Sequence, residues 1–503
     1  MKRIALFTMS TLMFLCFCAC GSKNPEGTIT SSGVSAQEPI IAKDAATVFT
    51  TTFDKSYAFN RSVIAFGKPS TMSPNIVRFT DETYQSVDGF GFAITQSSCY
   101  NLLKMPKTDR TRLLTELFSP EYGAGSSLIR VCIGGSDFSM DEFTCCDTPG
   151  IENFAMHPLD IQYLFPILDE IYKINPDVQI IGSPWSCPRW MKMSLDGKTI
   201  PFNSWTSGRL NPSYYADYAT YFVKWIQAMQ ERGYKVLGVT LQNEPLNTGN
   251  SMSLYMSWQE QANFIKVVGP AFHKAGLEDI KIMVFDHTYN YNSSESQDKY
   301  PLKIYAIPEA SKYVAGSAWH SYGGFVTELD DIHIAFPDKG IWFTEASIGE
   351  WNYGSNGFSS LVKDDFRDII MGTLSRYGKG VTLWNLMLDD EGKPYRPKGC
   401  STCYGAVSVS RASYSYSSLD KKSQWYDILH ASAVIKPGAV RIGTEGYVAK
   451  DVTYLAFRNP DASYGVIFLN VGSSQEQFVF TNSDHSVNVK VPAKAIVSVI
   501  WKD

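Results

Sequence analysis

Two stretches of the chain carry an apolar run straight into a glutamate: VTLQNEPLN at residues 239–247 and GIWFTE at 340–345. In the first, Val239 and Leu241 lead to Gln242, Asn243 and Glu244, with Pro245 next to stop a strand. In the second, Ile341, Trp342 and Phe343 lead to Thr344 and Glu345. Two carboxyls held on either side of one glycosidic bond can cleave it: one gives a proton to the leaving oxygen, and the other attacks the anomeric carbon or activates a water. A single glutamate at a strand end is commonly solvated or ion-paired. Two of them, each closing an apolar run and one flanked by Asn243, are poorly explained that way. Glu350 falls in the loop behind Glu345, and Glu231 and Glu260 fall on helical stretches, so all three rank below the pair.

Something must hold the two glutamates face to face. From about residue 88 to 386, short β-branched runs alternate with stretches of helical period. The runs are 88–94, 127–133, 178–184, 236–243, 280–286, 313–320, 340–345 and 380–386. Between them, 158–175 places Ile161, Leu164, Phe165, Leu168 and Ile171 on one helix face. Residues 211–233 open on Asn-Pro and close on Gly, and 364–378 behaves alike. Eight strands alternating with helices predict an α/β fold, a closed (β/α)8 TIM barrel. Such barrels build their sites from strand C-termini. The residues at those ends are Arg130 and Asp137, Trp185, Asn243 and Glu244, Asp286 and His287, His320 and Tyr322, Glu345, and Trp384 and Asn385. The 101 residues from Glu244 to Glu345 suit three βα units, which sets strands four and seven across the barrel mouth. GFGFAI resembles a dinucleotide-binding loop only superficially, because the third glycine and the helix start are missing.

The ends of the chain read differently. Lys2 and Arg3 precede an apolar run that closes on Cys20, which predicts a lipoprotein signal over 1–20, lipidation of Cys20 and attachment to the bacterial cell envelope through an outer-membrane lipid anchor. Residues 21–45 read as a flexible tether and 46–85 as strands. The barrel is expected over 86–430, and an antiparallel β-sandwich over 431–503 that the 46–85 strands join. The chain has 503 residues and a formal charge of −5, with no long basic run, which speaks against a nucleic-acid partner. Seven cysteines follow the leader, an odd number. Cys400 and Cys403 could form a loop disulfide or remain plain thiols, and without a second such pair a metal site is not expected.

The ordered stretches DGFGFAIT, SLIRVCIGGSDFS, GSPWSCPRWMK, LQNEP, WHSYGG, FTEASIG, LWNLMLD and IKPGAVRIG resemble glycoside hydrolase family 30, the family of glucosylceramidases and β-1,6-glucanases. The resemblance implies a barrel with an attached β-sandwich and a retaining, cofactor-free β-glycosidase. It implies Glu244 as acid/base, Glu345 as nucleophile, Arg130 and Asp137 holding the sugar, Trp185 and Trp384 against its ring, and Asn243 on its 2-hydroxyl. His320 and Tyr322 match the aromatic motif near the nucleophile. Phe92 and Gln96 depart from the family pattern, which has Gly and Asp there. A β-1,6-glucan is the expected substrate of an envelope protein, with a glucosylceramide-like lipid or a short oligosaccharide as alternatives, and the segments near 290–300 and 350–360 are expected to choose among them. A non-catalytic glycan-binding barrel is the competing class, and the intact glutamate pair argues against it.

Overall fold

The computed structural model describes residues 40–354 and 357–503; the leader, Cys20 and most of the 21–45 tether lie outside them. Eight parallel strands close a barrel: β1 (Gly89–Ala93), β2 (Leu128–Cys132), β3 (Gln179–Ser183), β4 (Lys235–Thr240), β5 (Lys281–Thr288), β6 (Val314–His320), β7 (Gly340–Glu345) and β8 (Gly378–Asn385). Each expected run contributes one strand. β4 is the exception in length, for it stops at Thr240 rather than running to the residues before Pro245.

Inside the barrel the side chains change character along the strands. Leu128, Ile181, Leu237, Met283, Ala318 and Trp342 pack a dry lower layer. Above it the inward residues turn polar: Ser183, Thr240, Asp286 and Thr344 are all buried and hydrogen-bonded to one another. Burial of the lower layer supplies the driving force, and the upper layer meets its polar groups internally.

Among the described residues two helices carry a π turn. In the 158–175 segment it covers Asp160–Leu164, ahead of an α-helix at Phe165–Ile174. The extra residue per turn rotates the face, so Ile161 is 55% exposed while Ile167 is buried, against the single stripe that its spacing predicts. The wide turn puts Asp160 inside, where it accepts from Gln96 Nε2 at 2.6 Å. Gln96 is therefore paired within the wall of the barrel, away from the cleft.

The second body is a nine-stranded sheet. Its order is Ala58–Ala65, Ala45–Thr52, Ala495–Lys502, Ser463–Asn470, Val452–Arg458, Val440–Gly446, Ile76–Ser86, Glu476–Thr481 and Ser486–Val491. Three of these strands come from before the barrel and are interleaved with the six that follow it. The sheet curls until Gly67 bridges Ser486 near its two edges, and Val466, Phe468, Phe480, Val497 and Trp501 fill the space enclosed. The boundary read at 430/431 falls inside the helix Ser423–Val434, every residue of which is buried. His430 in that helix reaches Ser498 and Thr51 of the sheet at 2.8 Å each, and burial pushes its pKa down to about 3, so it is neutral. The chain leaves this helix at Ile435, ahead of Pro437.

Candidate active site

The site is built around Asp286. Phe285 and Asp286 have φ of 76° and 65°, and the register of β5 against β6 slips between Phe285 and His287. The bulge inserts one residue and re-aims its side chain. Asp286 thereby meets four donors: Arg130 Nη2 at 2.7 Å and Thr240 Oγ1 at 2.6 Å on Oδ2, and Thr344 Oγ1 at 2.6 Å and His320 Nε2 at 3.1 Å on Oδ1. Burial opposes its charge, yet Arg130, His320 and Thr240 hold the carboxyl well below the usual range.

Glu244 stands four residues past the end of β4, on a turn. Leaving the strand, the chain crosses to its neighbours: Asn243 N–H donates to Pro184 C=O at 2.8 Å, and Glu244 N–H to Asp286 C=O at 3.0 Å. Glu244 has φ of 43°, a conformation that non-glycine residues keep only when their surroundings impose it. Asn247 imposes it from below, with its N–H on Glu244 C=O at 2.9 Å and its Nδ2 on Glu244 Oε2 at 2.8 Å. Glu244 Oε1 lies 3.2 Å from His320 Nδ1.

Glu345 ends β7 as its run predicts. Its Oε2 accepts from Arg130 Nη1 at 2.5 Å, and its Oε1 accepts from Tyr322 Oη at 3.1 Å and lies 3.9 Å from His320 Nδ1. An oxygen of Glu244, an oxygen of Glu345 and a nitrogen of His320 all fall within 4.8 Å of one another. That trio matches the donor set of a cation site, but a protonated His320 already supplies positive charge there. Burial works against that charge, and Glu345, Asp286 and Glu244 outweigh it, raising the imidazole to about 9. Burial likewise opposes the charge on Glu244, while His320, His287 and Asn247 pull its pKa down to about 2. Glu345 moves the other way: burial and the charges of Glu244 and Asp286 outweigh His320 and Arg130 and raise it.

Above these groups opens a cleft of about 530 Å³, within the usual size of small-molecule sites. Glu244, Glu345, Asp137, Tyr322 and Trp384 line it. Burial and the nearby Glu345 push Asp137 up to about 8, and its Oδ1 has no hydrogen-bond partner within the described protein. Arg130, Trp185, Asn243 and His320 do not line the cleft. Arg130 is buried and donates to Ser183, Glu345, Asn243 and Asp286, so it fixes the carboxylates rather than facing a sugar. Asn243 gives its Oδ1 to that guanidinium at 2.7 Å. Trp185 stacks behind Trp384, ring centres 5.2 Å apart.

Sequence reasoning missed Asn247, Asn250, Asn290, Asn292, Trp351 and Lys398, which also line the cleft. Asn290, Asn292 and Trp351 fall in the segments near 290–300 and 350–360 expected to choose the substrate, though not as named residues; the density of asparagines after strands four and five is the signal for Asn247 and Asn250, and Lys398 has none. Cys400 and Cys403 close a disulfide at the rim, and the other five cysteines described are free. The disulfide loop pairs through Cys403 and Tyr404 with Gly349 and Ile348, just after β7.

A TIM barrel whose mouth holds two buried glutamates this close, under an open polar cleft, is a glycosidase. The Glycosyl hydrolase family 30 TIM-barrel domain matches residues 87–435 and the Glycosyl hydrolase family 30 beta sandwich domain matches 438–499, and the chain belongs to that family. It is 30% identical over 454 residues to an endo-1,6-beta-D-glucanase of Trichoderma harzianum, covering 86% of this chain and 87% of that one. It is 26% identical over 440 residues to the lysosomal acid glucosylceramidase of Mus musculus, covering 84% and 82%. Among solved structures, the endo-beta1,6-glucanase BT3312 superposes with a TM-score of 0.87 at 46% identity, over 91% of this chain and all of that one.

Proposed function

We propose that the enzyme is a retaining endo-β-1,6-glucanase, with Glu345 as nucleophile and Glu244 as acid and base. The approach of the two carboxyls carries the mechanism: with an oxygen of each within 4.8 Å, the pair is nearer the separation of about 5–5.5 Å of retaining enzymes than the about 6.5–9.5 Å of inverting ones. The substrate follows from likeness to endo-1,6-glucanases over most of the chain. Glu345 attacks C1 of a β-glucosyl unit while Glu244 passes a proton to the departing O6. Water then cleaves the glucosyl-enzyme, with Glu244 as base. Asp137, its Oδ1 unpartnered, is placed to bond a hydroxyl of that unit, and Trp384 to pack on its ring.

His320, His287 and Asn247 favour the ionised form of Glu244, while burial and the charges of Glu244 and Asp286 raise Glu345. Glu244 must carry a proton before attack. His320 Nδ1, 3.2 Å from Glu244 and 3.9 Å from Glu345, is positioned to carry it, and the three groups titrate as one unit.

The test is hydrolysis of β-1,6-glucan with product analysis and the anomeric configuration followed by NMR. Oligosaccharides of several lengths, first appearing as β-anomers, are the expected products. Release of the α-anomer overturns the retaining assignment, and action on laminarin or glucosylceramide with none on β-1,6-glucan overturns the substrate. Display at the envelope through a lipid on Cys20 belongs to the same proposal and rests on the leader alone. Cys20→Ala is expected to release the protein from the membrane fraction.

A further inference from the structure

The catalytic cleft has a neighbour. Asn290 lines both the cleft and a second groove of about 250 Å³, walled by Ser293, Ser294, Glu295 and Asp298. The loop between them is unusual. Tyr291, Asn292 and Ser293 have φ of 54°, 53° and 56°, three left-handed residues in a row, none of them glycine. Each is strained, and such strain persists only where the surroundings over-determine it.

The anchors are present. Tyr291 is buried, its ring 5.2 Å from that of Phe285, with its hydroxyl donating to Glu328 at 2.5 Å. Asn292 Nδ2 donates to Leu246 C=O at 3.1 Å, which ties the loop to the turn that carries Glu244. The groove thus adjoins the cleft through Asn290, and its loop is tied through Asn292 to the turn that carries Glu244, the group proposed to protonate the leaving oxygen.

We infer that this groove binds glucosyl units on the leaving-group side of the scissile bond. The inference rests on the glucanase reading and deepens it. The lining offers an amide, two hydroxyls and two carboxylates, which accept hydrogen bonds from the hydroxyls of a neutral sugar chain. It offers no apolar side chain to a ceramide tail, and its carboxylates repel a uronate. A polysaccharide chain fits; a glycolipid does not.

The experiment compares kcat/KM for β-1,6-linked gluco-oligosaccharides of two to six units, in wild type, Ser294→Trp and Glu295→Arg. In wild type the value is expected to rise with length. In Ser294→Trp, which fills the groove, the ratio of hexamer to dimer is expected to fall about tenfold, the equivalent of one or two lost hydrogen bonds. Glu295→Arg, at an exposed position, is expected to lower the same ratio less and guards against a folding defect in the first variant. A ratio unchanged in both variants overturns the groove while wild-type hydrolysis keeps the glucanase reading. Failure of the wild type on every β-1,6-linked substrate overturns both.

Discussion

The interior of the sandwich and the floor of the barrel mouth are both buried and filled with opposite materials. Around Trp501 the sheet encloses Phe79, Tyr464 and Phe480, rings 5.4–5.9 Å from the indole. Around Asp286 the barrel encloses Arg130, His320 and two glutamates. Burial by itself assembles the first. It opposes the second, since each charge taken out of water carries a desolvation cost that only well-placed partners offset. The bulge in β5, the φ of 43° at Glu244 and the four donors on Asp286 are what that offset looks like in the structure. A core of this kind is a poor way to gain stability, so its presence points to chemistry.

The contrast can be broken from either side. The largest effect is expected from Glu345→Gln: kcat falls roughly 10³-fold or more while Tm changes little, because the residue is needed for the reaction and not for the core. Arg130→Met strips three carboxyl and amide partners of their donor at once; denaturant melts are expected to show a loss of about 3–5 kcal/mol together with near-complete loss of activity. Trp501→Ala is expected to cost a similar 3–5 kcal/mol through its cavity, with kcat/KM at 25 °C within about twofold of wild type. If Trp501→Ala abolished activity in folded protein, the two interiors would not be independent. The smallest effect is in pH. His320 is raised from 6.5 to about 9, so its stabilising charge is fully present below pH 6.5 and lost as pH rises through 9. Both Tm and kcat/KM are expected to decline over that interval, and the limb should disappear in His320→Gln.

The barrel was readable because its strands are short apolar runs, most of them β-branched, and β7 delivers Glu345 at its last residue as the pattern says. β4 was less readable. Leu241 continues the apolar alternation past Thr240, but by then the backbone has left the sheet to bond Pro184 and Asp286, a tertiary event with no local signal. The π turn at Asp160 defeated helical periodicity for the same reason. Asp286 was visible as a strand-end residue, but not as the hub, because a bulge gives it its direction. Arg130 and Asn243 were expected to face the sugar; the structure shows Arg130 donating to Glu345 and Asp286, and Asn243 accepting from Arg130. Residue type told which groups belong to the site, and only geometry told which of them stand behind the others.

The interleaving of the sandwich has a consequence for how the chain is made. The strand at 45–52 has one neighbour at hand in 58–65, but its other edge, and both edges of the strand at 76–86, pair only with residues 440–502, so these edges leave the ribosome early and wait through synthesis of the entire barrel. At about 5–20 residues per second that interval lasts tens of seconds. Throughout it the nascent protein carries unpaired strand edges, the feature most prone to wrong association. The last sixty or so residues act as a closing clasp, and a ribosome that stalls before them leaves a finished barrel with an open, adhesive end.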